Sequence, residues 1–133
     1  MKYILITGTN SGIGEAASEL LLKKGYHVFG SVRDKKIADA LSSKLGANFT
    51  PLVFDITDEA AVAKAVSIVK NKLGSEGLTA LVNNAGIVVS GALKDLSVSD
   101  FKKQMDVNVV GTFLVTKAFL PLLGADKNSS IKS

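Results

Sequence analysis

TGTNSGIG, residues 7–14, joins an Ile-rich apolar run, KYILIT at residues 2–7, to a stretch with helical spacing. The run reads as a strand buried on both faces, the kind found in parallel sheets. Beyond the glycines, Ile13, Ala16, Ala17, Leu20, Leu21 and Lys24 recur at the period of a helix, which Gly25 stops. A strand that turns into a helix through glycines lets the backbone approach a pyrophosphate, whose charge then meets the free N–H groups of the helix's first turn. The spacing is TGxxxGxG, neither GxGxxG nor a triphosphate loop ending in GK[ST], and a glycine turn without any ligand is the competing reading.

The same alternation continues outward from this turn. Residues 26–32 read as a strand, 35–45 as a helix stopped by Gly46, and 48–54 as a third strand. Thr57 is then expected to cap a helix with Asp58 and Glu59 in its first turn and Val62, Ala65, Val66, Val69 and Leu73 as its apolar stripe. Residues 78–82 form a fourth strand, ended by Asn83 and Asn84. A last helix opens at SVSD, residues 97–100, a capping-box pattern, and runs to about Leu123; it is apolar almost all round and is expected to be buried. The order βαβαβαβ, followed by this helix, predicts right-handed crossovers on a parallel sheet, a doubly wound α/β fold. The 133 residues suffice for one domain, with a polar tail at 124–133.

Composition narrows the function classes. Apolar residues make up 47%, with no low-complexity block, so the chain has the material for a core. The net charge of +4 comes from lysine pairs scattered along the chain, and aromatics for stacking on bases are few, which argues against a nucleic-acid partner. The absence of cysteine excludes a disulfide framework and thiolate metal ligands, and the one histidine, His27, sits in an apolar strand where a structural role is expected, so no metal site is anticipated. The segment MKYILITG is too brief for a signal sequence or a membrane span, and a soluble cytoplasmic protein is the default expectation.

TGxxxGxG after the first strand, NNAG at residues 83–86 after the fourth, and VNVVG at residues 107–111 within the long helix together resemble the short-chain dehydrogenase/reductase superfamily, in its single-domain type. The motifs stand in the family's order and span nearly the whole chain. The resemblance implies a Rossmann-like fold and hydride transfer between a nicotinamide cofactor and a carbonyl or alcohol. It implies that Gly8, Ser11, Gly12 and Ile13 hold the pyrophosphate, with Gly14 allowing close helix packing. It assigns Asp55 to the adenine amino group with Ile56 beside it, and Asn83, Ala85 and Gly86 to the segment under the ribose; Asn84 reads as a structural amide. A turn or helix-entry role is the competing reading of Asp55. In FGSVRDKK the residue at the end of the second strand is Val32, which cannot hold a ribose hydroxyl, whereas Arg33 matches the position where NADP-dependent members carry an arginine. NADP(H) is therefore favoured over NAD(H). Asp34, one residue on, and Ser11, where a second basic residue is common, weigh on the other side, and Arg33 as a solvated surface charge is the alternative.

The family's acid/base is a tyrosine in YxxxK. Here Tyr3 is followed four residues later by Thr7, and Tyr26 by Gly30, so the motif does not occur in these 133 residues. Asn108, which matches the family asparagine that holds a water in the proton path, is the one catalytic candidate, and a core amide bonded to backbone is its competing reading. The sequence is thus expected to carry the cofactor-binding half of an oxidoreductase, truncated before a fifth strand and inactive alone, with a second copy packing on the helix at residues 99–123. A truncated dinucleotide-binding module and an interaction subunit are the alternatives.

Overall fold

The computed structural model describes residues 1–124; the polar tail expected beyond Gly124 lies outside the described residues. Four parallel strands, β1 (Tyr3–Ile6), β2 (His27–Val32), β3 (Phe49–Val53) and β4 (Leu78–Val82), lie in the order β3-β2-β1-β4. The connections are α1 (Gly12–Lys23), α2 (Lys35–Leu45) and α3 (Glu59–Leu73), as the alternation in the sequence requires. β1 is central, with Ile4 opposite Val28 on one side and Ala80 on the other.

The strands alternate between two cores. Ile4, Ile6, Val28 and Val32 point to the side covered by α1 and α2, where Ala38, Leu41 and Phe49 complete the cluster. Leu5, Phe29 and Leu52 point to the other side, against Val62, Ala65, Val69 and Leu73 of α3 and Val115 and Phe119 of the last helix. Each Val, Leu, Ile or Phe among them, fully buried, contributes about 1.5–3 kcal/mol, so the fold depends on both layers being present. On the first side, Lys44 of α2 also reaches Glu15 at 2.6 Å and Glu19 at 2.9 Å on α1; these partly exposed carboxylates hold its ammonium pKa above the ordinary value. His27 is buried, its Nε2 2.8 Å from Thr50 Oγ1 and its ring packed on Tyr3 and Phe29, a structural role.

Two expectations need correction. The cap of α3 is Asp58, whose carboxylate accepts from Ala61 N–H at 3.0 Å; Thr57 instead bonds to Asp55. Asp caps as well as Thr does, and here it stands one residue closer to the helix. The long helix is also not buried all round. It runs as α4 (Val98–Met105), a π-turn (Asp106–Gly111), α5 (Thr112–Phe119) and a closing 3-10 turn (Leu120–Leu122). Only Gly111, Val115 and Phe119 are buried in it, while Val98, Phe101, Val109, Val110 and Phe113 are half or more exposed. A single sheet face covers one side of a helix, and composition cannot show which side lacks a neighbour. By length and apolar composition Val98–Leu122 would suffice to cross a membrane, yet its Val115 and Phe119 are part of the sheet's core. Among the described residues β4 is the outer strand, and Leu123 forms a parallel bridge with Leu78 on it, so the chain returns to the sheet where the helix ends.

Candidate functional site

The C-terminal ends of the four strands converge on a cleft of about 210 Å³. In a doubly wound sheet this edge is where ligands bind, because loops to opposite faces part there. Gly8, Asn10 and Ser11 line it from β1, Ser31, Val32 and Arg33 from β2, Phe54, Asp55 and Ile56 from β3, and Asn84, Ala85, Gly86 and Ile87 from β4. Val107 of the π-turn closes one side.

Hydrogen bonds to both neighbouring strands fix the glycine turn. Gly8 N–H donates to Ser31 Oγ at 3.0 Å, and Thr9 donates to the Ser31 carbonyl through its N–H and its hydroxyl. On the β4 side, the buried Thr7 Oγ1 accepts from Asn84 N–H at 3.0 Å and Ala85 N–H at 2.9 Å. Asn84 Nδ2 donates to the carbonyls of Thr7 and Gly8 at 3.1 and 2.9 Å, the structural amide expected from the sequence. Gly8 has φ +72°, and a Cβ on it would lie 3.0 Å from Ala85 Cα, so both its conformation and its space demand glycine.

The N-terminus of α1 differs from the other helix starts. Asp34, Asp58 and Ser97 each cap their helices with a side-chain oxygen, whereas Ser11 makes no such bond to α1. Among the described residues the first N–H groups of α1 are therefore left for a ligand or solvent, at a point where Ser11 itself lines the cleft.

The two charged side chains of the cleft have distinct environments. Asp55 Oδ1 accepts from the N–H and the hydroxyl of Thr57, at 2.9 and 2.7 Å; the main-chain bond above all, with the hydroxyl and the nearby Arg33 charge, holds the carboxyl below its ordinary pKa against the opposing effect of burial. Asp55 is thus a carboxylate at neutral pH with a second oxygen to offer. Arg33 lies in the cleft, whereas Asp34 is turned away, its Oδ1 accepting from Lys36 and Ile37 N–H at 2.7 and 3.2 Å as the cap of α2.

Of the residues named from sequence, Gly8, Ser11, Arg33, Asp55, Ile56, Ala85 and Gly86 line the cleft; Gly12, Ile13, Gly14, Asn83 and Asn108 do not. Ile13 is 81% exposed, with its side chain outside the cleft. Asn83 Nδ2 donates to Thr116 Oγ1 at 2.9 Å, which ties the end of β4 to α5. Asn108 Oδ1 accepts from Ile87 N–H and its Nδ2 donates to Ile87 O, both at 2.8 Å, so its amide engages one residue's main chain twice. Gly14 sits beneath the turn, where a Cβ would overlap the Gly8 carbonyl oxygen and lie 2.6 Å from Asn84 Nδ2. Sequence reasoning missed Asn10, Ser31, Phe54, Ile87 and Val107. Only Ser31 had a readable signal, a hydroxyl within the buried run HVFGSV.

Comparison with known proteins places this architecture. The family model for short chain dehydrogenase matches residues 2–131. The chain belongs to the short-chain dehydrogenase family. The chain is 43% identical over 129 residues to an NADPH-dependent 3-dehydrocapnine reductase of Ornithobacterium rhinotracheale, covering 97% of this chain and 46% of that one. It is 38% identical over 121 residues to a serine 3-dehydrogenase of Rhizobium radiobacter, with 90% and 48% covered. Among solved structures, NADPH-bound carbonyl reductase from chicken fatty liver superposes with a TM-score of 0.80 at 29% identity, over 92% of this chain and 48% of that one. A glucose/ribitol dehydrogenase of Brucella melitensis superposes with a TM-score of 0.84 at 27% identity, over 92% and 50%. The chain spans about half the length of these relatives.

Proposed function

We propose that this chain is the cofactor-binding half of an oxidoreductase that moves a hydride between NADP(H) and a carbonyl or alcohol. The observation that carries the cofactor choice is the separation of Arg33 from Asp34: the guanidinium lines the cleft while the carboxylate caps α2, and Val32 between strand and loop is apolar and buried. A guanidinium there pairs with a 2′-phosphate in a charge-assisted contact, and no carboxylate at that position competes for a ribose hydroxyl. The NADPH named for the reductase of Ornithobacterium and bound in the chicken carbonyl reductase supports the same reading.

The remaining residues fit such a cofactor. The uncapped start of α1, with Gly8, Ser11, Gly12 and Ile13, would receive the pyrophosphate on main-chain N–H groups, and Gly14 lets α1 approach that closely. The second oxygen of Asp55 would accept from the adenine amino group, with Ile56 against the ring, and Ala85 and Gly86 would border the ribose, with Asn83 holding their segment to α5 through Thr116. When bound, the nicotinamide supplies or takes up the hydride. Asn108 would serve the proton path: its Oδ1 accepts from Ile87 N–H, and an amide oxygen has a second acceptor site that a water would use. Through the exposed stripe of Val98–Leu122 a second copy would pack, which removes apolar surface from water.

Fluorescence titration tests the cofactor reading. NADPH should bind at least tenfold more tightly than NADH, and Arg33→Ala should abolish that difference by weakening NADPH alone, since a charge-assisted contact is worth about 1.5–3 kcal/mol. Equal affinities in the wild-type protein, or an Arg33→Ala variant that loses both cofactors equally, would refute it.

A further inference from the structure

The motifs account for Asn108 but not for the residue one helical turn before it. Gln104 Oε1 accepts from Val89 N–H at 3.2 Å, while its Nε2 reaches back to the Asp100 carbonyl at 3.4 Å, which orients the amide. With Asn108 holding both main-chain groups of Ile87, two amides four residues apart on one helix grip alternate residues, Ile87 and Val89, of the segment that follows β4. Residues 87 and 89 therefore both turn main-chain groups to this helix. A third contact of the helix is Gly111, where a Cβ would lie 2.8 Å from Ile56, a cleft residue. The π-turn at Asp106–Gly111 carries the second and third of these contacts, and such turns are frequent at functional sites.

The segment so held is part of the binding surface. Ile87 lines the cleft, and it also lines, with Val88 and Val89, a groove that continues from the cleft past Arg33 and Asp55. We propose that Gln104 is a positioning residue for dinucleotide binding: by fixing Val89 it completes the grip that Asn108 begins and sets the wall formed by residues 87–89. The inference rests on the cofactor reading above. Neither residue needs to touch the ligand, because an extended segment with unheld main-chain groups would have to be ordered on binding, at the expense of affinity.

The test compares wild type, Gln104→Leu and Gln104→Glu in the full-length protein. Leucine keeps the bulk and removes the acceptor; glutamate keeps an oxygen for Val89 N–H. Three quantities are read: NADPH affinity, hydrogen exchange of the Val89 amide, and melting temperature. Gln104→Leu should lose protection at Val89 and bind NADPH about three- to tenfold more weakly, the effect of one hydrogen bond. Gln104→Glu should restore both, and the melting temperatures should agree within a few degrees. If Gln104→Leu binds NADPH as wild type does, or if glutamate fails to rescue affinity while exchange at Val89 is restored, Gln104 has only a structural role. A wild-type protein that binds no NADPH would instead overturn the cofactor reading, and this inference with it.

Discussion

Replacing Gly14 by alanine isolates the feature on which the site depends, the close approach of α1 to the turn. The added methyl would overlap the Gly8 carbonyl oxygen and lie 2.6 Å from Asn84 Nδ2 and 2.9 Å from Gly8 C. Two of these atoms are backbone in a turn tied to β2 and β4, so relief requires moving α1 or breaking the bond from Asn84 to Gly8 O. Overpacking typically costs 1–3 kcal/mol, and a rigid backbone obstacle puts this case near ~3. Loss of the Asn84 bond adds about 1 kcal/mol, and the better helix propensity of alanine returns about 1, leaving a net loss of roughly 3 kcal/mol. For a chain of this size that corresponds to a fall in melting temperature of roughly 10 °C. Gly12→Ala is the control: φ is +56° but nothing lies within 4 Å of its Cβ, so only left-handed strain of about 1–2 kcal/mol is expected. Urea unfolding of both variants measures the difference. If Gly14→Ala costs no more than Gly12→Ala, the packing argument fails.

Two further outcomes follow from buried and exposed faces. Burial foremost, with the nearby Lys72 charge, lowers the His27 pKa in the folded protein; the unfolded chain therefore takes up the proton first, and stability present above the ordinary histidine value of about 6.5 is lost as the pH falls below it. Urea midpoints should fall between pH 7.5 and 5.5 more in wild type than in His27→Gln, and parallel midpoints would show that His27 is not responsible. On the long helix, Val109→Glu places a charge in the exposed stripe without touching the core, Val109 being 57% exposed. It should raise the dissociation constant of a dimer at least tenfold by sedimentation, because an unpaired carboxylate buried in an interface costs several kcal/mol. A wild-type monomer at micromolar concentration, or a variant that sediments like wild type, would remove this face as the contact.

The sequence by itself determined the order of elements and the parallel sheet, because apolar strands and helical stripes separated by glycine stops are local patterns with distinct periods. Of the twelve residues that it singled out by family resemblance, seven line the cleft, from Gly8 to Gly86, and five do not, because motif matching selects loop positions while the cleft forms where the strand ends converge. What it could not decide were the matters settled by neighbours distant in the chain. Asp34 and Arg33 are adjacent in sequence and equally charged in magnitude, and only the start of α2 shows that one caps and the other faces the cleft. The long helix is apolar throughout, but a sheet face buries only one side of it. Asn108, which the sequence could leave as a core amide or make catalytic, acquired its partner, Ile87, only when the helix was laid across the segment after β4. Hydrogen-bond partners 21 residues apart are a property of packing, and packing is not written in local periodicity.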